Sequence, residues 1–396
     1  MAQMTPAATA TAETPLILTG GRLLTDGGLA DTSVVVRNGR IAELTDDPPT
    51  GEVLDVGGRL VGPGLVDIHI HGAAGHSFEQ AEDDDGVTAV LHHLASRGVT
   101  TVLAALASDR IDTLVAAVGG LHRHRDHPSP GAAELAGVHL EGPFLAPAQA
   151  GAHSPAALRD PDAEAVARLA SLGPAMITLA PELPGGVSAV EQFAAAGTVV
   201  AAGHSEARVP DLRAAQAAGL THLTHLWSGQ SALVREGPWR VPGLLESSLA
   251  STGLTAEVIA DGKHLPPALL EIARRCLGED LIVVSDATSG AGLPEGSRYA
   301  LAEVVCEVRD GVGVVVGADA FGGSTTTLEA MLTYLRTELG WPVAELFAMG
   351  STRPAQIAGL GDRKGRIAPG YDADLVVVDA DLSPWATVVR GHLLRP

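Results

Sequence analysis

The chain has 396 residues, 46% of them hydrophobic and 18% charged, enough for one large α/β barrel with a small companion and too apolar for wholesale disorder. Its 47 Asp and Glu against 26 Lys and Arg leave a net charge of −21, which disfavours nucleic acid and anionic membranes as partners. Aromatic residues are 3%, too few for a base-stacking platform.

Residues 1–14 carry neither a basic segment nor an apolar core and read as a flexible tail rather than a leader peptide. Next comes ILTGGRLLTDGGLADTSVVVRNGRIAEL, which alternates apolar and polar residues around Asp-Gly and Asn-Gly turns and predicts short strands. The C-terminal GRIAPGYDADLVVVDADL and TVVRGHLL have the same character. Residues 15–60 and 363–396 are therefore expected to form one small β-sandwich built from both chain ends.

The middle, residues 61–362, alternates. Strand-like runs occur at LVDIHIHG, TTVLAAL, LAGVHLEGP, MITLAPE, TVVAAGHS, LTHLTHLW, TAEVIADGKH and LIVVSDAT. Helical stretches are expected at 88–97, 111–125, 163–172, 187–196, 211–218, 266–277 and 326–339. Eight strand signals with helices between them predict a (β/α)8 barrel, with a doubly wound sheet as the competing arrangement. RYALAEVVCEVRDGVGVVVG predicts a hairpin excursion near 298–317, turning at Asp310-Gly311. No apolar run approaches the ~20 residues that span a bilayer; the longest uncharged one covers about 193–203. Two cysteines, Cys276 and Cys306, make no disulfide framework and point to a cytoplasmic setting.

Residues capable of chemistry cluster at the C-terminal ends of the strand runs, and this favours the barrel, where all such ends meet at one face. His69 and His71 are two apart on a strand and should project to one side. Imidazole pairs suit zinc or iron, though two polar residues at a strand end would look the same. His139 and Glu141 repeat the spacing on the third strand, where Glu141 could bind a metal, cap a helix or pair with a cation. His139 is expected to orient Glu141 from behind. His204 and His225 end strands five and six, and one Glu with two His is a frequent catalytic metal set. His222, three residues before His225, should point away and be structural. Asp286 ends strand eight, placed to take a proton from a metal-activated water or to serve as a ligand itself. His153, His264 and Arg235 lie in loops, and the Gly-Ser-Thr before the last helix could cap it or meet an anion. His122, His124 and His127 read as surface residues, and His76 has no assigned role.

Taken in order, VGPGLVDIHIHG, GVHLEGPFL, GAHSP, AGHS, THL, ADGKHLPP, VSDATSGAGLP, GGSTTTLEAML and GRIAPGYDADLVVVDADL resemble the amidohydrolase superfamily. Within it they resemble the N-acetylglucosamine-6-phosphate deacetylases, from about residue 15 to 394. The resemblance implies a metal-dependent barrel that hydrolyses the acetamide of an amino sugar, with acetate as one product. It implies Glu141, His204 and His225 as main metal ligands and His69 with His71 as a second site. One or two divalent ions, zinc or else Fe, Mn or Co, would be bound. Asp286 corresponds to the catalytic aspartate, and His153 to a residue that holds or polarises the substrate. His264 and Arg235 match the sugar-phosphate region, Arg235 being lent across a homodimer. One departure stands out. Where the family reads aromatic-Asn-Ala-Met, this chain reads Trp227-Ser228-Gly229-Gln230, which places Ser228 and Gly229 at the phosphate end of the substrate. A related enzyme acting on another N-acyl amine is therefore the first alternative. A non-catalytic sugar-phosphate-binding protein is the second, opposed by the intact acid, base and ligand set.

Overall fold

The computed structural model describes residues 6–9 and 14–395. Eight parallel strands follow one another around a barrel in chain order: Leu65–Ile70, Val99–Leu106, Glu134–Glu141, Met176–Leu179, Val199–Ala202, His222–Leu223, Thr255–Ile259 and Leu281–Val284. The barrel closes between the eighth strand and the first. Asp286 N–H donates to His69 O at 2.9 Å, His71 N–H donates to Ala287 O at 2.8 Å, and Ile70 bridges Ala287. Val66, Ile68, Leu103, Met176, Ile282 and Val284 form one apolar cluster. They come from strands one, two, four and eight. Strands four and eight face each other across the barrel, so this cluster fills its interior.

Helices cover the outside close to the expected positions, among them Asp84–Ser96, Ile111–Asp126, Ala163–Ala170, Gly186–Ala195, Val209–Ala217, Pro267–Leu277 and Leu328–Thr337. Their apolar faces join the large core; on Asp84–Ser96, Val87, Val90, Leu91 and Leu94 are buried at the spacing of one helical face. Asp83 caps this helix by accepting the Gly86 N–H, and Asp162 does the same for Ala165. No helix among the described residues is long and apolar enough to cross a membrane.

The two chain ends meet. One sheet runs in the order Pro6–Thr9, His392–Leu394, Pro384–Val389, Leu375–Val378, Leu60–Pro63, Arg22–Thr25, Gly28–Ala30. A second runs Arg40–Thr45, Ser33–Arg37, Leu16–Thr19, Glu52–Asp55. Leu16, Leu18, Val34 and Val36 from the second pack against Val61, Leu375, Val377 and Val388 from the first, giving the small β-sandwich its own core. Pro6–Thr9, expected within a tail, is a strand antiparallel to His392–Leu394, because that edge offers an open row of backbone groups. The remainder of the expected tail, apart from Thr14, lies outside the described residues. The excursion after the eighth strand is a three-stranded sheet, Arg298–Leu301, Val304–Arg309 and Val312–Val315, rather than a single hairpin. Tyr299 and Cys306 anchor it; the Tyr299 hydroxyl donates to Gly322 O at 2.7 Å.

Candidate metal centre and substrate cleft

The C-terminal strand ends converge on Glu141. Four imidazole Nε2 atoms approach its carboxylate within 3.3 Å: His225 at 2.8 Å and His204 at 3.1 Å on Oε1, and His71 and His153 each at 3.3 Å on Oε2. His69 Nε2 stands 3.6 Å from both Glu141 Oε1 and Asp286 Oδ1, and His71 Nε2 is 3.4 Å from the same Asp286 oxygen. All seven side chains are buried.

Local backbone features aim them. Pairing between the first two strands slips by one residue between Asp67 and Ile70, a bulge that turns His69 and His71 inward together. Asp67 Oδ1 accepts the N–H groups of His69 and Ser285, each at 3.3 Å, and so ties strand one to strand eight beneath them. His204 and Asp286 each follow their strand in the left-handed region, with φ of 47° and 46°. Such a conformation costs about 1–3 kcal/mol in a residue other than glycine. Gly229, at φ 56°, lies so close to the His204 ring that a Cβ would sit 2.5 Å from its Nδ1.

Hydrogen bonds at the far ring nitrogen sort the histidines by tautomer. His204 Nδ1 donates to Gln149 O at 2.8 Å, and burial lowers its pKa to about 4, so Nε2 is a free lone pair. His69 Nδ1 faces Glu257 at 2.9 Å and His71 Nδ1 faces Glu79 at 3.3 Å, leaving both Nε2 atoms as prospective ligands. His153 is the opposite case. Its Nδ1 accepts the Ser108 N–H at 3.1 Å, so the neutral ring carries its proton on Nε2 and is a donor, not a ligand.

The donor set fits a divalent metal. Tetrahedral ions with bonds of about 2.0–2.1 Å separate their ligand atoms by about 3.3 Å, and the spacings above bracket that value. His69 Nε2, which faces Glu141 and Asp286, is buried without a hydrogen-bond partner, and in a buried polar site such an atom calls for an occupant. His69, His71 and Glu141 form one group compact enough to hold an ion, and Glu141, His153 and His204 form another. Because His153 presents a proton there, His225 at 2.8 Å from Glu141 is the better third ligand of that second group.

Burial disfavours charge on His69 and His71. The Glu257 and Glu141 carboxylates around His69, and Asp286 and Glu141 around His71, override it and raise both pKa values well above the ordinary imidazole value. Burial likewise works to raise Glu141, yet His153 and His69 hold it well below the usual carboxylate range. Asp286 is also lowered; burial opposes this, and His71 and His69 prevail.

A cleft of about 340 Å³ opens from this cluster. His153, Trp227, Ser228, Gly229, His264 and Phe321 line it, with Asp286 at its floor. The His264 Nδ1 is held by Asp261 at 2.7 Å, and its ring packs on Phe321 with centroids 4.5 Å apart. The loop after His225 is braced by Gln230, whose amide donates to Thr224 O and whose oxygen accepts the Trp227 N–H, each at 3.3 Å.

Arg235 is not in the cleft. It lies on an exposed hairpin, Val234–Glu236 with Trp239–Val241, whose Trp239 is 74% exposed. No Lys or Arg is among the residues lining the cleft. His139 does not touch Glu141, contrary to expectation. It is one layer deeper, bonded to Ile68 O and Thr178 Oγ1, with its ring edge on His69 at 4.4 Å. Burial lowers its pKa to about 3, so it is neutral. His222 does turn from Glu141 and bonds Glu257 at 3.0 Å. Glu257, Glu79, Asp261 and Asp67 are carboxylates that sequence reasoning did not single out. His76 sits at the surface 3.8 Å from Asp83.

The amidohydrolase family model matches residues 60–393. N-acetylglucosamine-6-phosphate deacetylase from Mus musculus is 34% identical, covering 96% of this chain and 95% of that one. N-acetylgalactosamine-6-phosphate deacetylase from Escherichia coli O157:H7 is 30% identical over 95% of this chain and 98% of that one. A solved aspartate-to-alanine mutant of N-acetyl-D-glucosamine-6-phosphate deacetylase from Mycobacterium smegmatis, in complex with N-acetyl-D-glucosamine-6-phosphate, superposes with a TM-score of 0.87 at 32% identity. That match covers 96% of this chain and 99% of that one. Barrel, sandwich, convergent ligand set and these full-length likenesses agree: the chain belongs to the amidohydrolase family, in the company of the N-acetylglucosamine-6-phosphate deacetylases.

Proposed function

We propose that this protein hydrolyses N-acetylglucosamine 6-phosphate to glucosamine 6-phosphate and acetate. The observation that carries the reading is the set of groups around Glu141: prospective ligand nitrogens, one carboxylate free for proton transfer (Asp286), and one imidazole N–H donor (His153). Glu141, His204 and His225 would hold one divalent ion, and His69 with His71 a second; zinc suits this nitrogen-rich set. Such an ion supplies Lewis acidity, lowering the pKa of water towards ~7 and polarising the amide carbonyl.

The chain's own residues carry the rest. Asp286 takes a proton as the attacking water adds to the acetamide carbon. His153 Nε2–H donates to the carbonyl oxygen as charge builds there, a type of interaction worth about 3–4 kcal/mol. Asp286 then returns the proton to the amine as the C–N bond breaks, so acetic acid and a neutral amine leave, and the acid gives up its proton to solvent as acetate. Trp227 and Phe321 flank the sugar, and His264 with Ser228 and Gly229 face the phosphate end. Among the described residues no Lys or Arg lines the cleft to meet a phosphate dianion. A homodimer would complete it with the partner subunit's Arg235, and Leu233, Val234 and Trp239, exposed around Arg235, support that assembly. Two unpaired cysteines accord with a cytoplasmic enzyme.

The missing cation and the Ser228-Gly229-Gln230 loop favour a second reading, a deacetylase for another N-acyl amine. Steady-state kinetics on N-acetylglucosamine 6-phosphate, N-acetylgalactosamine 6-phosphate and N-acetylglucosamine separate the two. The proposal expects the first to have the highest kcat/KM. Preference for the unphosphorylated sugar would replace it with the second reading.

A further inference from the structure

We propose that Glu257 is a positioning residue for His69, fixing the tautomer with which that ring can hold an ion at the first-strand histidine pair. The inference rests on the metal-dependent reading above. Glu257 lies on the seventh barrel strand, and the eighth strand separates it from the first, so the contact with His69 is made through the barrel interior. Glu257 is wholly buried. Its Oε2 accepts the His69 Nδ1–H at 2.9 Å and the backbone N–H of His225 at 3.2 Å; its Oε1 accepts the His222 Nε2–H at 3.0 Å. Its ion-pair partners among the described residues are these two imidazoles, with no Lys or Arg.

This is an expensive way to stabilise a core. A buried carboxylate–imidazole cluster can often be exchanged as a whole for well-packed apolar side chains at no loss of stability. An apolar residue could not keep the His69 proton on Nδ1, however. With the proton there, Nε2 presents a lone pair towards Glu141 and Asp286, and this is the atom left without a hydrogen-bond partner. The ring plane is fixed by His139 edge-on at 4.4 Å and His225 stacked at 5.2 Å. His71 has the matching arrangement: Glu79 faces its Nδ1 and also accepts the Ala107 N–H, each at 3.3 Å. His204 is oriented by a neutral carbonyl instead. A carboxylate behind a ligating imidazole raises its basicity as well as orienting it, and removing such a partner typically weakens metal binding about 10–100-fold. Glu257 thus bears on the His69–His71 site through the imidazole of His69, whereas its bond to His225 is to the backbone N–H and leaves that ring untouched.

The test is zinc binding by the full-length protein, measured by chelator competition and metal analysis, for wild type, Glu257→Gln, His69→Gln and the double variant. Two ions per chain are expected in wild type. Glu257→Gln should weaken one of them about 10–100-fold and leave the other near its original affinity. In the His69→Gln background the same change should alter the remaining ion less than about threefold, since coupled residues are non-additive. Two wild-type-like ions in Glu257→Gln would overturn the proposal. So would equal weakening of the remaining ion in both backgrounds, the signature of a merely structural role. A wild-type protein that binds one ion, retained in His69→Gln, would remove the first-strand site itself. That outcome would defeat the two-ion reading along with the proposal. If Glu257→Gln does not fold, His222→Gln decides by the same titration: weakening confined to the first-strand site is expected, and an unchanged site overturns the proposal.

Discussion

Replacing Asp286 with Asn removes a proton acceptor while disturbing little else. The residue sits at φ 46°, where Asn is among the few non-glycine residues tolerated. Its backbone N–H to His69 O and its carbonyl, which accepts the Ser324 N–H at 2.8 Å, are unaffected by the change. The Asn oxygen can still sit where Oδ1 stands, 3.4 Å from His71 Nε2. What disappears is the ability to take a proton from water and return it to the amine. General acid–base catalysis contributes about 10²–10⁴, and Asp286 acts in both directions, so a fall in kcat of about 10³–10⁴ is expected. At 1.36 kcal/mol per decade this is about 4–5 kcal/mol of transition-state stabilisation. The assay is acetate release from N-acetylglucosamine 6-phosphate by protein of measured metal content. KM should stay within a few-fold, because the lost interaction belongs to the transition state. A variant that keeps its metal and turns over within tenfold of wild type would refute the assignment.

Four further outcomes follow from the same geometry. His153→Asn should lower kcat about 10²–10³ while retaining metal; loss of metal instead would mean that His153 is a ligand after all. Gly229→Ala should weaken metal binding and activity together, because the new methyl meets the His204 ring 2.5 Å away and φ 56° is strained for Ala; an unaffected enzyme would show the loop to be more yielding than its packing implies. Metal affinity should fall as pH falls, because the raised pKa values of His69 and His71 mean that protons compete with the ion; a pH-independent affinity between pH 6 and 8 would contradict this. The last concerns the junction of barrel and sandwich, where Arg363 and Lys364 pair with Glu134, Asp372 and Asp374. Burial tends to raise the Glu134 carboxyl, but Arg363 and Lys364 lower it from 4.5 to about 2. Its folded pKa is below its unfolded one, so the stabilisation is present above pH ~4.5 and is lost as pH falls towards ~2. It amounts to about 3 kcal/mol, partly offset by Asp374, whose pKa is raised. Glu134→Gln should flatten this acid limb in urea titrations; an acid limb as steep as wild type would refute it.

Much of the site was legible because barrel strands deliver their last residues to one face. His69, His71, Glu141, His204, His225 and Asp286 could be assembled from strand ends alone. The deeper layer was not. Glu257 stands in TAEVI, where a single Glu among apolar residues reads as the solvent side of an alternating strand. Its burial comes from His69 and His222, on strands one and six, which no local pattern connects to it. His139 was placed on the correct strand but given the wrong partner: spacing of two shows which side a residue faces, not which interior layer it occupies. Arg235 illustrates a different limit. Its hairpin is exposed and Arg235 is not among the residues that line the cleft, a separation that no local pattern in the sequence shows. The strand at Pro6–Thr9 is likewise set by a distant edge, His392–Leu394, and not by its own composition.

Whether this metal centre deacetylates N-acetylglucosamine 6-phosphate is decided by following acetate and free amine by NMR. The protein is first stripped by a chelator and then reloaded with zinc. Stripped protein should be inactive, and reloading should restore formation of both products in equal amounts. Equal turnover by stripped and reloaded protein, or none by fully loaded protein, would contradict the assignment.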